Sequence, residues 1–232
     1  MKIGFDVISD LFLSPEDSFN WENKATSLYC IIPGNISHDL RTLVITLTHL
    51  SKFYQGIFFI PGALEYQDVE NIDIRTTELI KLCHRINNVA VLFQNVVIID
   101  GIAILGANGW YGNTQPTDYI TQLKVQEKRH EDIAYLKNSV EKLQKHLDVK
   151  KVIVVSNSVP NQNLYFGEVP EFVESQIPLD VILFADTEHK VVNWVFGTHI
   201  KIVDATFNGI NYVNNPKFAT NPYWAKRIEV EI

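Results

Sequence analysis

The chain has 232 residues, 46% of them hydrophobic and 20% charged, which places it with globular chains that bury a sizeable core and apart from disordered ones. A formal net charge of −7 speaks against a broad phosphate-backbone footprint, so nucleic acid is not an expected partner. No apolar run approaches the roughly 20 residues of a membrane span, and the chain opens on a strand pattern instead of a signal peptide, so a cytoplasmic protein without membrane contact is expected.

Lys2 to Ile8 reads as a buried first strand, with Asp6 at a wet edge or in a salt bridge. Ser14 to Thr26 is a polar loop carrying Phe19 and Trp21. Ser27 to Ile32 is a short apolar strand ended by Pro33-Gly34-Asn35. From Asp39 to Tyr54 the residues Leu40, Leu43, Val44, Leu47 and Leu50 recur at three- and four-residue spacing, which predicts an amphipathic helix. Ile57 to Ile60 is a third strand closed by Pro61-Gly62, and a second helix is expected from Asp73 to Ile86. Short strands follow at Val89 to Phe93, Val96 to Asp100 and Ile102 to Gly106, with Asp100-Gly101 as a hairpin turn. The longest helix is expected from Asp118 to His146, dense in charge and mostly solvent-facing. Further strands are expected at Lys151 to Val155, Asp180 to Phe184, Val191 to Phe196, Lys201 to Asp204, Gly209 to Val213 and Arg227 to Glu231, with one short helix in the loop Asn161 to Pro178.

No repeat or linker interrupts residues 1–232, so one domain is expected. Strand and helix alternate first, and strands dominate later. This order predicts an α/β protein, α+β-like in its tail, with two packed mixed sheets flanked by helices. Cys30 and Cys83 fall in a strand-like and a helix-like run and read as buried free thiols of a reducing compartment.

In open α/β sheets chemistry gathers at the carboxyl ends of strands. Five such ends stand out here: Ile8-Ser9-Asp10-Leu11-Phe12, Pro33-Gly34-Asn35-Ile36, Ile60-Pro61-Gly62-Ala63-Leu64-Glu65-Tyr66, Val154-Val155-Ser156-Asn157-Ser158-Val159-Pro160 and Trp194-Val195-Phe196-Gly197-Thr198-His199-Ile200. In this order and context they resemble the motifs of calcineurin-like metallophosphoesterases: Asp-x-His, Gly-Asp, Gly-Asn-His-Glu, a later His as in Thr-His-His-x-Pro, and Gly-His-x-His. Gly106 to Trp110 and Asn214-Asn215-Pro216 resemble that family's Trp loop and Asn-Pro turn. The resemblance spans nearly the whole chain. It implies a four-layer sandwich whose carboxylates, Asn and His hold two divalent metals (Mn, Mg or Zn) that bind a phosphate and activate water.

The departures from the family pattern decide the functional expectation. Asp10 keeps its carboxylate, but the His two residues on is Phe12 and the bridging Asp is Asn35. Ala63 stands for the Asn ligand, Leu64 for the catalytic His, Asn157 for the His of the fourth motif, and Thr198 and Ile200 for the two His of the fifth. His199 lies between those two, where its side chain should point elsewhere. Hard dications favour anionic oxygen, and two-metal chemistry needs both ions held together. Neither a catalytic residue nor a metal is therefore expected: the chain reads as a pseudoenzyme that acts as a protein-binding, structural or assembly subunit, through protein partners or self-association. Phe12 and Leu64 are expected to fill space that ions and water occupy in the family.

The alternative is an active phosphatase or phosphodiesterase with an atypical or single-metal centre, built from Asp10, Asn35 and His199 with His38 and Asp39. Glu65 reads as a solvated or capping residue, and His130, Glu131 and Asp132 as part of a charged helix face. His38, His49, His84, His146 and His189 read as surface histidines. Ser156 and Ser158 lack a His–acid pair for a serine nucleophile, and Gly106-x-x-Gly109 is too short for a dinucleotide fingerprint. The aromatics Trp110, Tyr111, Tyr165, Phe166, Tyr223 and Trp224, gathered around the old cleft, would make a contact surface. Its rim would be the loops Ser14 to Thr26, Gly106 to Pro116 and Asn161 to Pro178.

Overall fold

The computed structural model describes residues 1–110, 119–167, 169–170, 177–219 and 222–232. Four strands, β1 (Lys2–Val7), β2 (Tyr29–Ile32), β3 (Gly56–Phe59) and β4 (Val89–Val91), run parallel side by side. α1 (Leu40–Leu50) connects β2 to β3, and α2 (Ile72–Cys83) lies in the connection from β3 to β4. The second sheet holds β5 (Asn95–Ile99), β6 (Ile102–Ala107), β7 (Lys151–Ser156), β8 (Val191–Phe196), β9 (Val203–Phe207) and β10 (Ile210–Asn214), in the order β5-β6-β7-β8-β10-β9. Helix α3 (Tyr119–Lys145) joins β6 to β7. The last strand, β11 (Lys226–Glu231), returns to the first sheet and pairs antiparallel with β1.

Strand alternation makes this a four-layer sandwich. Ile3, Phe5 and Val7 of β1 face Ile102 and Ile104 of β6, Ile153 and Val155 of β7 and Val195 of β8 in a core between the sheets. The alternate residues point outward: Ile57 and Phe59 meet Leu43, Leu47 and Leu79 of the helices on one side, and Val152, Val154 and Trp194 meet Leu136, Val140 and Leu143 of α3 on the other. Each fully buried aliphatic or aromatic side chain contributes about 1.5–3 kcal/mol. Three clusters sharing two sheets therefore fix the strand ends relative to one another.

Local chemistry sets the boundaries. Asp39 caps α1 through the Thr42 N–H, and Asn71 caps α2 through Asp73 and Ile74. Asp100 and Gly101 both take positive φ, at 46° and 83°, as a two-residue hairpin of the type I′ kind needs. The same pattern recurs at Asn208-Gly209 between β9 and β10.

Three sequence expectations change. Asp180 to Phe184 is no strand: Leu179–Ala185 is a 3-10 helix opened by Pro178. Leu179, Ile182 and Ala185 are its buried residues, three apart, while Phe184 is 90% exposed, and that period of three is the 3-10 repeat. Asp6 is neither wet nor salt-bridged: it is fully buried and accepts from the Thr26 backbone, the Thr26 hydroxyl and the Tyr54 hydroxyl. Asp132 does not belong to a solvated face. The buried stripe of α3 runs Val125, Arg129, Asp132, Leu136, Val140 and Leu143, and its two charged members hold the loop after β6. Asp132 accepts from Gly109 N–H at 2.7 Å and from Gln94 at 2.8 Å. The Arg129 guanidinium donates to the carbonyls of Gly109, Trp110 and Ile177.

Cys30 and Cys83 are buried and unbridged. Among the described residues no helix is long and apolar enough to cross a membrane. In the loop Asn161 to Pro178 a 3-10 turn spans Gln162–Tyr165; residues 168 and 171–176, like residues 111–116 of the loop Gly106 to Pro116, lie outside the described residues.

Candidate functional site

The carboxyl ends of β1, β2, β3, β7 and β8 converge, and the residues that meet there are those singled out by the motif comparison. Asp10 is 1% exposed. Its Oδ1 accepts from Asn35 Nδ2 at 2.8 Å and from the Thr198 N–H at 2.9 Å, and its Oδ2 from Asn214 Nδ2 at 3.3 Å. The Asn35 amide is oriented by both ends: Nδ2 also reaches Thr198 Oγ1 at 3.1 Å, and Oδ1 accepts from the Leu64 N–H at 3.0 Å. Thr198 Oγ1 in turn donates to Asn157 Oδ1 at 3.0 Å. Asn157 closes the ring, with Oδ1 taking the Ala63 N–H at 3.1 Å and Nδ2 giving to the Pro33 carbonyl at 2.8 Å. Five loops are thus stitched by one carboxylate, two carboxamides, one hydroxyl and three backbone N–H groups.

Glycine lets the loops come this close. A Cβ on Gly62 would sit 2.5 Å from both Asn157 Nδ2 and Asn35 Oδ1. The backbone is strained here as well: Asp10, Phe12, Asn35 and Thr198 all take positive φ, between 46° and 60°. For the aromatic Phe12 and the β-branched Thr198 this conformation costs about 1–2 kcal/mol each, and the hydrogen-bonded ring and the packing beneath it hold them there.

Glu65 departs from its expected place in solvent. It does cap its turn, by accepting from the Gly62 N–H at 2.5 Å, but it is fully buried. It also accepts from the backbone N–H groups of Asn35, Ile36 and Ser37 at 2.9, 2.6 and 3.1 Å. One carboxylate thereby ties the loop after β3 to the loop after β2.

Phe12 does not fill the centre. Phe12 is 48% exposed and packs on Phe218, with ring centroids 5.9 Å apart, because its left-handed backbone turns the ring outward. Leu64 is half-buried and meets the ring through its N–H. Ala63 is exposed and Ile200 is 72% exposed. His199 is buried, its Nδ1 bonds to the Lys201 backbone, and its ring lies against Tyr165 and Phe196. His38 is exposed and Asp39 is committed to the α1 cap. Among the described residues no three His, Cys, Asp or Glu side chains gather where they could share an ion. Of Asp10, Asn35, His38, Asp39 and His199, the hydrogen-bonded ring joins Asp10 and Asn35. Of the aromatics, Trp110 and Tyr223 are buried, Phe166 and Trp224 are more than half exposed, and Tyr111 lies outside the described residues.

No family model matches the sequence, and no curated protein matches it either. Solved structures do match. The phosphopantetheinyl hydrolase of Mycobacterium tuberculosis superposes with a TM-score of 0.66 at 12% identity, over 98% of this chain and 96% of that one. The chain has the metallophosphoesterase fold. A Staphylococcus aureus protein described as a 5′-nucleotidase matches at TM-score 0.58 and 13% identity, over 92% of this chain and 48% of its own, about half its length. GAP50, the anchor in the inner membrane complex of Plasmodium, matches at TM-score 0.54 and 10% identity, over 91% of this chain and 70% of its own.

The fold family implies a pair of divalent cations at these strand ends, and the donor set present does not fit them. Asp10 is the one carboxylate of the ring. The oxygen it turns toward Asn35 is already met by two N–H donors, and Asn35 faces it with nitrogen, its oxygen being taken by Leu64. A dication at that point would face N–H groups where it needs oxygen lone pairs.

Three buried acids also set a pH dependence. Burial pushes Asp10 up to about 6 and Glu65 up to about 7 against the pull of their hydrogen bonds, and pushes Asp132 up to about 6. The folded chain therefore keeps protons that the unfolded chain releases from the ordinary carboxylate range upward. Their contribution is full below about pH 4 and is lost as pH rises through 6 to 7. His199, held below its ordinary value by burial, acts in the opposite direction but is one group against three. Urea midpoints measured from pH 5 to pH 8 are expected to fall with rising pH, and Asp132→Asn should flatten the slope. A midpoint that rises over this range would contradict this account.

Proposed function

We propose that this chain uses the metallophosphoesterase fold as a protein-binding or assembly subunit, without metal-dependent hydrolysis. The observation that carries the reading is the closed ring of Asp10, Asn35, Thr198 and Asn157, in which amide and backbone N–H groups occupy the directions that metal coordination requires. The position of the catalytic His holds Leu64, which neither gives nor takes a proton. Beside the ring, Phe12 and Ile200 lie two residues after Asp10 and Thr198 and are 48% and 72% exposed, and Phe218, 54% exposed, packs on Phe12. Large exposed apolar side chains of this kind are what a protein partner buries. A neighbour of this fold described as an anchor is in keeping with such a role.

A second reading, a phosphoesterase working through an atypical centre, draws support from the two neighbours described as a hydrolase and a nucleotidase. One experiment separates the two. The purified chain is assayed on p-nitrophenyl phosphate and bis-p-nitrophenyl phosphate with manganese, magnesium or zinc, beside Asp10→Ala. The first reading expects equal background rates for both proteins and no stoichiometric heat of manganese binding. Turnover that disappears in Asp10→Ala establishes the second.

A further inference from the structure

We infer that the free edge of β9 is a self-complementary surface on which two copies of this chain pair into one continuous sheet. Among the described residues β9 closes the second sheet and has β10 on one side only. In a two-residue hairpin the closing pair is doubly hydrogen-bonded, and pairs alternate from there. Phe207, Ala205 and Val203 therefore bond to Ile210, Tyr212 and Asn214 of β10, and the N–H and C=O of Asp204 and Thr206 point away from the sheet. A bare row of strand donors and acceptors is a template for another strand.

The three other edges differ. β11 carries Lys226, Arg227, Glu229 and Glu231, and β4 has three residues. β5 carries no charge, but the N–H of Val96, one of its two outward-facing residues, is already taken by the Asn95 Oδ1 at 2.8 Å. β9 carries the single charge Asp204, which is already ion-paired with Lys226. Apolar exposure concentrates beside it: Ile202 is 43%, Phe207 41% and Phe166 56% exposed, and Phe166 lies against Phe207 with centroids 6.4 Å apart.

The sequence of β9 selects a second copy as the occupant. An antiparallel pair centred on Ala205 sets Asp204 opposite Thr206 of the second copy, and Thr206 opposite its Asp204. These are the residues with free backbone groups, so each such pair can exchange both bonds. On one face a hydroxyl donor then meets a carboxylate, twice, and no like charges are opposed. On the other face Ala205 meets Ala205, and Val203 meets Phe207 at both ends. The contact is isologous and closes at two copies. It stands apart from the reading of the cleft, since it uses none of the ring residues.

The test is sedimentation of the full chain over a concentration series, with three substitutions at Thr206, which is exposed. The wild type is expected to dimerise reversibly. Thr206→Asp opposes two carboxylates in each pair and should leave a monomer. Thr206→Lys opposes a cation to Asp204 and should tighten the dimer on the order of tenfold. Thr206→Pro removes an outward N–H that β10 does not use, and should give a folded monomer whose melting temperature matches that of the wild type diluted to its monomer. A wild type that stays monomeric at every concentration overturns the inference. So does a dimer that responds alike to Asp and Lys at 206.

Discussion

Glu65→Ala is expected to destabilise the chain by about 4 kcal/mol or more, a large share of the roughly 5–15 kcal/mol of an ordinary domain. The reason is the number of partners. The backbone N–H groups of Gly62, Asn35, Ile36 and Ser37 all end on this one carboxylate. Each buried N–H left without an acceptor costs about 1–3 kcal/mol, and four lose theirs at once. The loop after β2 is also the loop that presents Asn35 to Asp10, so the damage should spread to the ring. Urea denaturation gives the stability, and protection of the Ile36 amide from hydrogen exchange gives the location. A loss below about 1 kcal/mol would mean that water can replace the carboxylate, and the buried geometry would then be misjudged.

This anchor was written in the sequence only in part. Glu65 sits three residues after Gly62, which is cap spacing. The three further donors come from residues about thirty positions earlier, and nothing local shows that they will arrive. Asp6 was misread for the same reason, since Tyr54 and Thr26 reach it across the fold. Arg129 and Asp132 were more accessible: both fall on the three-and-four spacing of the buried stripe of α3, and reading that helix by period instead of by charge density would have found them. The strand periods, the Asp100-Gly101 turn and the α1 stripe were legible because they are local. The run Asp180 to Phe184 reads as a strand because its four apolar residues fit a strand or a tight helix equally, and the choice falls to Pro178 and to the packing of Leu179 and Ile182. The convergence of five strand ends was visible as motif order. That they close by hydrogen-bonding to one another was not, since it depends on which end of the Asn35 amide faces Asp10.

That orientation makes Asn35→Asp the most telling single change at the ring. The substitution replaces a donor 2.8 Å from Asp10 Oδ1 by a second acceptor. The bond to Asp10 is lost, the bond to Thr198 Oγ1 weakens, and two carboxyls now share a dry site. Hydrogen bonds to charged groups contribute about 1.5–3 kcal/mol, so a loss of roughly 3 kcal/mol is expected at neutral pH. The loss should shrink on acidification, because one of two adjacent carboxyls then keeps its proton. A divalent cation relieves the same repulsion: manganese should raise the melting temperature of Asn35→Asp, as any ligand specific to the folded form does, and leave the wild type unmoved. The decisive comparison is the two proteins at one manganese concentration. If the wild type gains as much as the variant, its ring already opens to a cation, and the amide at position 35 is not what keeps metal from these strand ends.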